Sequence, residues 1–143
     1  MQKQEEQGTE MAIRRRIDEA EGRRALELWA AQAETDGTTA DRTTLATAVR
    51  YTLEELASRA EGNSVEVRVP PFGVTQCIPG PRHTRGTPPN VVETSAEVWL
   101  ALVTGRTDFA EALAAGTLTA SGTRADLSEF VPLFTAAELE VPR

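Results

Sequence analysis

Residues 91–134 read VVETSAEVWLALVTGRTDFAEALAAGTLTASGTRADLSEFVPLF, and a start or stop signal stands at nearly every junction of this stretch. Val91–Glu93 favours an extended strand because β-branched residues dominate it. Thr94, with Glu97 three residues later, matches a capping box and predicts the start of a helix. This helix carries the apolar residues Val98, Trp99 and Leu102.

A second helix and a further strand follow in the same stretch. Gly105 can end the first helix, and Thr107, Asp108 and Glu111 predict the start of the next one. Gly116 tolerates the left-handed turn that commonly ends a helix. Residues 118–122 then alternate apolar with polar positions, which is typical of a half-buried strand.

Thr123 is expected to cap a last helix after this strand.

Upstream of this stretch, a helix and a hairpin are predicted. Residues 41–60 place apolar side chains at spacings of three and four, which indicates an amphipathic helix. Residues 65–69 alternate valine with charged residues, so this strand should be apolar on one face only. Residues 70–73, PPFG, interrupt the extension, and residues 74–78 resume it as an antiparallel partner.

The chain is expected to form one domain behind a flexible tail. Residues 1–16 are polar and are predicted to be the tail, and residues 17–143 the domain, with an N-terminal helix over 17–35 and a core over 41–134. Asp18 with Glu21 predicts the start of this helix, although Gly22 lies inside it. Residues 36–39 should form a turn and 79–89 a proline-rich loop.

The order of these elements resembles the C-terminal half of the sterol carrier protein family. The residues that carry the resemblance are Trp99, Leu102, Gly105, Ala112, Gly116, Leu118 and Gly122. Residues 63–93, NSVEVRVPPFGVTQCIPGPRHTRGTPPNVVE, look like the bacterial branch found in actinobacteria. The resemblance implies an α/β (α+β) domain with helices on one face of a twisted four- to five-stranded sheet, which can enclose an apolar tunnel for lipids.

Composition excludes several classes of function. The 143 residues carry a net charge of −7, which argues against a general nucleic-acid binder and against stable attachment to anionic membranes. No apolar run is long enough to span a bilayer, and the polar N-terminus does not resemble a signal peptide. The single cysteine, Cys77, fits a reducing compartment. We therefore expect a cytoplasmic protein without membrane insertion.

An apolar set is the predicted contact surface for a hydrophobic ligand. At helical spacing such residues are most often plain core, whereas the resemblance implies that they border a lipid tunnel. The set consists of Phe72, Trp99, Leu102, Phe109, Leu113, Phe130 and Phe134.

The loop after residue 81 offers a second candidate site. Arg82, His83 and Arg85 on this proline-rich loop could bind a carboxylate or phosphate headgroup. The alternative is structural, in which these arginines pair with Glu93, Asp126 or backbone carbonyls.

Catalytic and metal chemistry find little support in the sequence. Cys77 and His83 could meet across a turn, but a strand cysteine is more often a small buried apolar residue. One histidine and one cysteine are too few for a typical zinc site, and no glycine-rich phosphate loop is present. We therefore predict no catalytic residue, no metal and no cofactor.

Three functions remain open from the sequence. The first is noncatalytic carriage of a lipid, fatty acyl or sterol-like ligand. The second is an accessory role beside a thiol-cofactor-dependent enzyme, since mycothiol-dependent isomerases resemble this chain in their C-terminal half; residues 1–40 lack the histidines of their metal-binding domain. The third is a ligand-free interaction module or homodimer, in which the helix near Leu26–Ala33, which carries Trp29, could pack on a second subunit.

Overall fold

The computed structural model describes residues 15–35, 40–81 and 90–139. Within them the chain forms an α+β fold with helices on one face of a four-stranded mixed sheet, which confirms the predicted fold class. The elements in chain order are α1 (Glu19–Ala33), α2 (Arg42–Arg59), β1 (Val65–Val69), β2 (Gly73–Cys77), β3 (Val91–Thr94), α3 (Ala96–Val103), α4 (Phe109–Ala115), β4 (Leu118–Ser121) and α5 (Ala136–Leu139).

The sheet has the strand order β2-β1-β3-β4. The hairpin strands β1 and β2 are antiparallel, with Val65 opposite Cys77 and Val69 opposite Gly73. β1 and β3 are parallel, and β3 and β4 are antiparallel. β1 and β3 therefore lie in the interior of the sheet, and β2 and β4 are its edges among the described residues.

One face of the sheet is buried and the other is not. Val65, Val67 and Val69 of β1 are almost fully buried, as the alternation of the sequence predicts. Their neighbours on the same face, Cys77, Val92 and Leu118, are buried as well. The opposite face presents charged residues of β1 and β3 to solvent, so the apolar core lies entirely on the helical side.

Side-chain caps and glycines set the helix ends. Asp41 starts α2 by accepting the Thr44 N–H at 2.8 Å, and Asp108 and Glu111 form a capping box at the predicted start of α4. At the end of α3, Gly105 has a φ of 81° and lets the Arg106 N–H reach the Ala101 carbonyl at 2.8 Å. This bond is typical of a Schellman ending, which requires the left-handed residue that glycine supplies.

The predicted cap of α3 is off by one residue. Thr94 belongs to β3, and its hydroxyl donates to the Thr117 carbonyl at 2.8 Å. Ser95 caps the helix instead, because its side-chain oxygen accepts the Val98 N–H at 3.3 Å.

The helix predicted after Thr123 is wrong. Residues 122–135 contain no helix, and the carboxylate of Asp126 accepts both the N–H and the hydroxyl of Ser128, at 2.9 and 2.6 Å. This local turn offers the backbone an alternative to helical hydrogen bonds. The irregular segment also buries Leu127 and Phe134 in the core.

The helix α1 packs against α2 at Gly22, the residue that weakened its prediction. Asp18 starts α1 as predicted, by accepting the Glu21 N–H at 3.1 Å. A Cβ at Gly22 would lie 2.3 Å from the ring of Tyr51, so only glycine permits this approach of the two helices. Tyr51 is fully buried and stacks on Phe134 with 5.9 Å between ring centroids, which leaves it little room to move.

Gly22→Ala should therefore destabilise the protein, although alanine is the better helix former by about 1 kcal/mol. We expect a net loss of about 1–3 kcal/mol in the free energy of unfolding, measured by urea denaturation, because the added methyl overpacks the interface. Arg24→Ala on the exposed side of α1 is the control and should stay within about 0.5 kcal/mol. A stabilised Gly22→Ala protein would contradict this packing.

Two residues assigned to the tail in the sequence, Arg15 and Arg16, are bonded to α2. The Arg15 guanidinium donates to Glu55, which also accepts the Arg59 Nε at 2.7 Å. Burial disfavours ionisation of Glu55, but the hydrogen bonds from the two arginines outweigh it and lower the pKa of this carboxyl. Residues 1–14 lie outside the described part of the chain.

Glu55→Gln should lower stability at pH 7 and have little effect in acid. Because the folded-state pKa is below the ordinary 4.5, the stabilisation is complete above pH 4.5 and is lost as the pH falls through the lower folded-state value. Urea unfolding at several pH values measures the difference between parent and variant. Glu27→Gln, in an exposed pair with Arg23 at 3.9 Å, is the control. A difference that is constant with pH would contradict the assignment.

Trp29 lies inside this chain and is not a free surface anchor. It is buried, its Nε1 donates to Glu97 at 3.0 Å, and the Arg106 guanidinium lies 5.2 Å from its ring. A homodimer stays a prediction, but Trp29 does not provide its contact surface.

Candidate functional site

A cleft of about 580 Å³ lies between α2 and the edge strand β2. We call it the helix-side cleft. Its wall combines apolar side chains, guanidinium groups and strand backbone, from Arg16, Ile17, Arg50, Leu53, Glu54, Gly73, Val74 and Thr75.

The contact between α2 and β2 shapes this cleft. Gly73 begins β2 directly under α2, and a Cβ there would lie 3.1 Å from the Leu53 side chain. The Arg50 Nε donates to the Phe72 carbonyl at 2.8 Å, and the Arg42 guanidinium lies 5.2 Å from the Phe72 ring. Two arginines of α2 thus hold the hairpin turn against the helix.

The electrostatics of the helix-side cleft favour an anion. The two carboxylate oxygens of Glu54 accept the N–H groups of Arg16 and Ile17, at 2.9 and 3.2 Å. Glu54 keeps its negative charge, so the two arginines Arg16 and Arg50 and this one carboxylate leave the wall of the cleft with one net positive charge. Cationic heads beside apolar Ile17 and Leu53 suit a molecule with one anionic end and one apolar end.

The predicted apolar set is found mainly in the core. Trp99, Leu102, Phe109 and Phe134 are buried in one cluster, and Phe72 and Phe130 pack against it. Leu113 differs, because it is 44% exposed. The Trp99 Nε1 donates to the Thr52 hydroxyl at 2.8 Å, so even the polar atom of this ring is satisfied within the core.

Apart from Leu113, these residues therefore form or pack against the core in the structure described. None of them lines the helix-side cleft. Their role in a tunnel stays a prediction.

The loop candidates Arg82, His83 and Arg85 lie outside the described residues. The residue that follows the loop, Asn90, is buried. Its side-chain amide donates to the Ser64 carbonyl at 2.8 Å and accepts the Arg124 N–H at 2.9 Å. This junction fixes the start of β3 against β1.

Comparison with known proteins identifies the family. A model of the family described as bacterial SCP ortholog matches residues 41–133, which is more than half of the chain. The protein belongs to this bacterial sterol-carrier-like family. The matched residues run from the N-cap of α2 to the segment after β4 and include the α2 and β2 walls of the cleft. A search of curated proteins finds no match.

A second cleft of the SCP-family chain lies on the exposed face of the sheet. This outer groove measures about 460 Å³ and is lined by Glu66, Arg68, Pro70, Pro71, Gly73, Val74 and Glu93. The Arg68 Nε contacts Glu66 at 2.6 Å, and its Nη1 lies 3.9 Å from Glu93. The groove is therefore walled by an ion-paired cluster on one side and by prolines and Val74 on the other.

Neither cleft can be predicted from the local sequence patterns. Arg16, Arg50 and Val74 belong to three separate segments, and no local pattern joins them. The one available signal was Val74, an apolar residue that alternation places on the charged face of the hairpin.

The structure also places Cys77, the cysteine of the SCP-family chain for which the sequence favours a buried apolar role. Cys77 is fully buried at the end of β2, and burial raises the pKa of its thiol to about 12. The thiolate, which is the reactive form, is therefore strongly disfavoured at neutral pH. Its suggested partner His83 lies outside the described residues.

The described part of the SCP-family chain holds neither a cluster of metal-binding side chains nor a membrane-spanning helix. Within residues 15–35, 40–81 and 90–139, no group of three or more His, Cys, Asp or Glu side chains is placed to hold a metal ion. Over the same ranges, none of the helices has the length and apolar character needed to cross a bilayer.

Cys77 should resist thiol reagents in the native state. At pH 8, a thiol with a pKa of about 12 has roughly one thiolate in ten thousand molecules, and burial blocks access further. We expect negligible labelling by a disulfide-exchange reagent in buffer and complete labelling in denaturant. Val74→Cys, at a position 59% exposed on the same strand, should label readily and serves as control. Rapid labelling of native Cys77 would contradict its buried, protonated state.

Proposed function

We propose that this protein binds and carries an amphipathic, largely hydrophobic small molecule without transforming it. The proposed ligand is a lipid of the fatty acyl class or of the sterol or isoprenoid-like class. Membership of the sterol-carrier-like family is the observation that carries the proposal.

The helix-side cleft supports this function and is the binding site we propose. Its volume of about 580 Å³ falls within the ordinary range of small-molecule sites. Ile17 and Leu53 offer apolar surface for a chain, and Arg16 and Arg50 offer partners for a carboxylate or a phosphate.

The expected affinity follows from the apolar area that a ligand would bury. Each buried methylene contributes about 0.8 kcal/mol, so a ten-carbon chain gains about 8 kcal/mol before its ordering is counted. The loss of translational and conformational freedom removes several kcal/mol, and the guanidinium contacts restore part of it. Micromolar affinity is the expected scale, and it suits a carrier that must also release its ligand.

The noncatalytic part of the proposal rests on the state of Cys77. A buried thiol with a raised pKa is a poor nucleophile. Carriage requires no nucleophile, whereas the accessory-enzyme alternative would need chemistry from a separate protein.

Fluorescent fatty acid and sterol probes test the proposal. We expect saturable binding of at least one probe, and Thr75→Trp should weaken it by about tenfold or more, since the new ring fills the cleft. Thr119→Trp on the opposite edge strand introduces the same ring outside the cleft and should bind as the parent does. Thermal unfolding of both variants verifies that each is folded.

Two results would count against the proposal in different ways. Absence of saturable binding, together with no lipid in native mass spectrometry of the purified protein, would refute carriage. Unchanged binding by Thr75→Trp would show that the ligand does not occupy the helix-side cleft. The apolar set around Trp99 would then be the candidate site.

The double variant Arg82→Ala/Arg85→Ala tests the predicted headgroup loop. Loss of anionic-probe binding at an unchanged melting temperature is expected if the loop contacts the headgroup. A large fall in the melting temperature would instead indicate that these arginines hold the loop in place.

A further inference from the structure

β2 is an edge strand whose outer side carries no partner among the described residues. It pairs with β1 and with no other strand in residues 15–35, 40–81 and 90–139. Natural edge strands are commonly protected by proline, by lysine or by an inward-pointing charge. The sequence of β2, GVTQC, contains none of these.

The hydrogen-bonding pattern shows which main-chain groups face the open edge. The Glu66 N–H donates to the Asn90 carbonyl at 2.9 Å, toward β3, so its main chain faces away from β2. Because direction alternates along a strand, the main chains of Val65 and Val67 face β2, and their partners Cys77 and Thr75 face back. The N–H and C=O groups of Val74 and Gln76 therefore point to the open edge.

A groove flanks this edge on each face of the sheet. The helix-side cleft and the outer groove both include Gly73 and Val74 in their walls. A strand added beside β2 would send alternate side chains to the two faces, and each face has a groove to receive them. This combination of open backbone and paired grooves is the arrangement that peptide recognition by strand addition requires.

The two grooves favour different side chains in an added strand. Residues on the helix side would meet Arg16 and Arg50 together with Glu54, whose carboxylate accepts two backbone donors, so this wall keeps one net positive charge. Acidic side chains match this face. Residues on the outer side would meet Pro70 and the 59% exposed Val74, which match a small apolar side chain.

We propose that the β2 edge binds an extended acidic segment of a partner protein by strand addition. The segment alternates acidic residues, which contact Arg16 and Arg50, with small apolar residues, which contact Val74 and the prolines. Its main chain pairs with Val74 and Gln76. This protein interaction is separate from ligand carriage, although both occupants use the helix-side cleft and therefore compete.

The test uses a short acetylated peptide of alternating glutamate and valine, titrated into the full chain labelled with ¹⁵N. We expect saturable shifts of the Val74 and Gln76 amide signals. A peptide with lysine in place of glutamate is the charge control and should bind at least about fivefold more weakly.

Two variants separate backbone pairing from charge. Val74→Pro removes an outward N–H without touching the ladder to β1, and it should weaken binding by about tenfold or more. Arg16→Glu should weaken binding by about fivefold, whereas Arg24→Glu makes the same charge change on exposed α1 and should have no effect. Thermal unfolding of each variant verifies that it is folded.

Several outcomes would overturn the proposal. Shifts confined to β4, equal binding of the lysine peptide, or unchanged binding by Val74→Pro and Arg16→Glu would each refute it. Binding of the acyl probe without any peptide binding would assign the cleft to small molecules alone. Concentration-dependent shifts at Val74 without peptide would assign the edge to a second copy, and slow hydrogen exchange of these amides in dilute protein would show that the edge is already covered.

Discussion

The one-sided burial of β1 is the constraint on which the rest of this structure depends. Val65, Val67 and Val69 are buried against the helices, while Glu66 and Arg68 pair with each other on the opposite face. Moving this strand by one residue would place charges in the core and valines in water. The helices must therefore cover one side of the sheet, and the other side must remain polar.

The clefts follow from this arrangement. With all helices on one side, the contact of α2 with β2 occurs at the edge of the sheet, where a helix cannot fill the space beside the last strand. Gly73 brings the strand close beneath Leu53, and Arg50 fixes the turn that precedes it. The core beneath α3 is occupied by side chains such as Trp99, whereas accessible space lies at the periphery.

The same constraint separates two kinds of recognition. The covered face supplies apolar walls and guanidinium groups, which suit an amphipathic ligand. Among the described residues, the outer side of β2 has no strand partner, and such main-chain groups suit a peptide. Val74 belongs to both, because it lines the helix-side cleft and its main-chain groups face the edge. Competition at this strand would couple ligand release to a partner, with no movement of the core required.

The sequence by itself determined the elements, their order and the buried face of the hairpin. Alternating valines, the caps at Asp18 and Asp108, and the turn at Gly105 act within a few residues, so local physics is enough to place them. The sequence was insufficient to choose between two local structures that were both possible. Ser95, and not the neighbouring threonine, caps α3, and a turn at Asp126 forms where a helix was predicted. Only the tertiary structure decided that Gly22 is a contact point and that a cleft opens beside β2. Each of these depends on residues far apart in the chain, and the hydrophobic periodicity of one segment does not predict which distant segment it will contact.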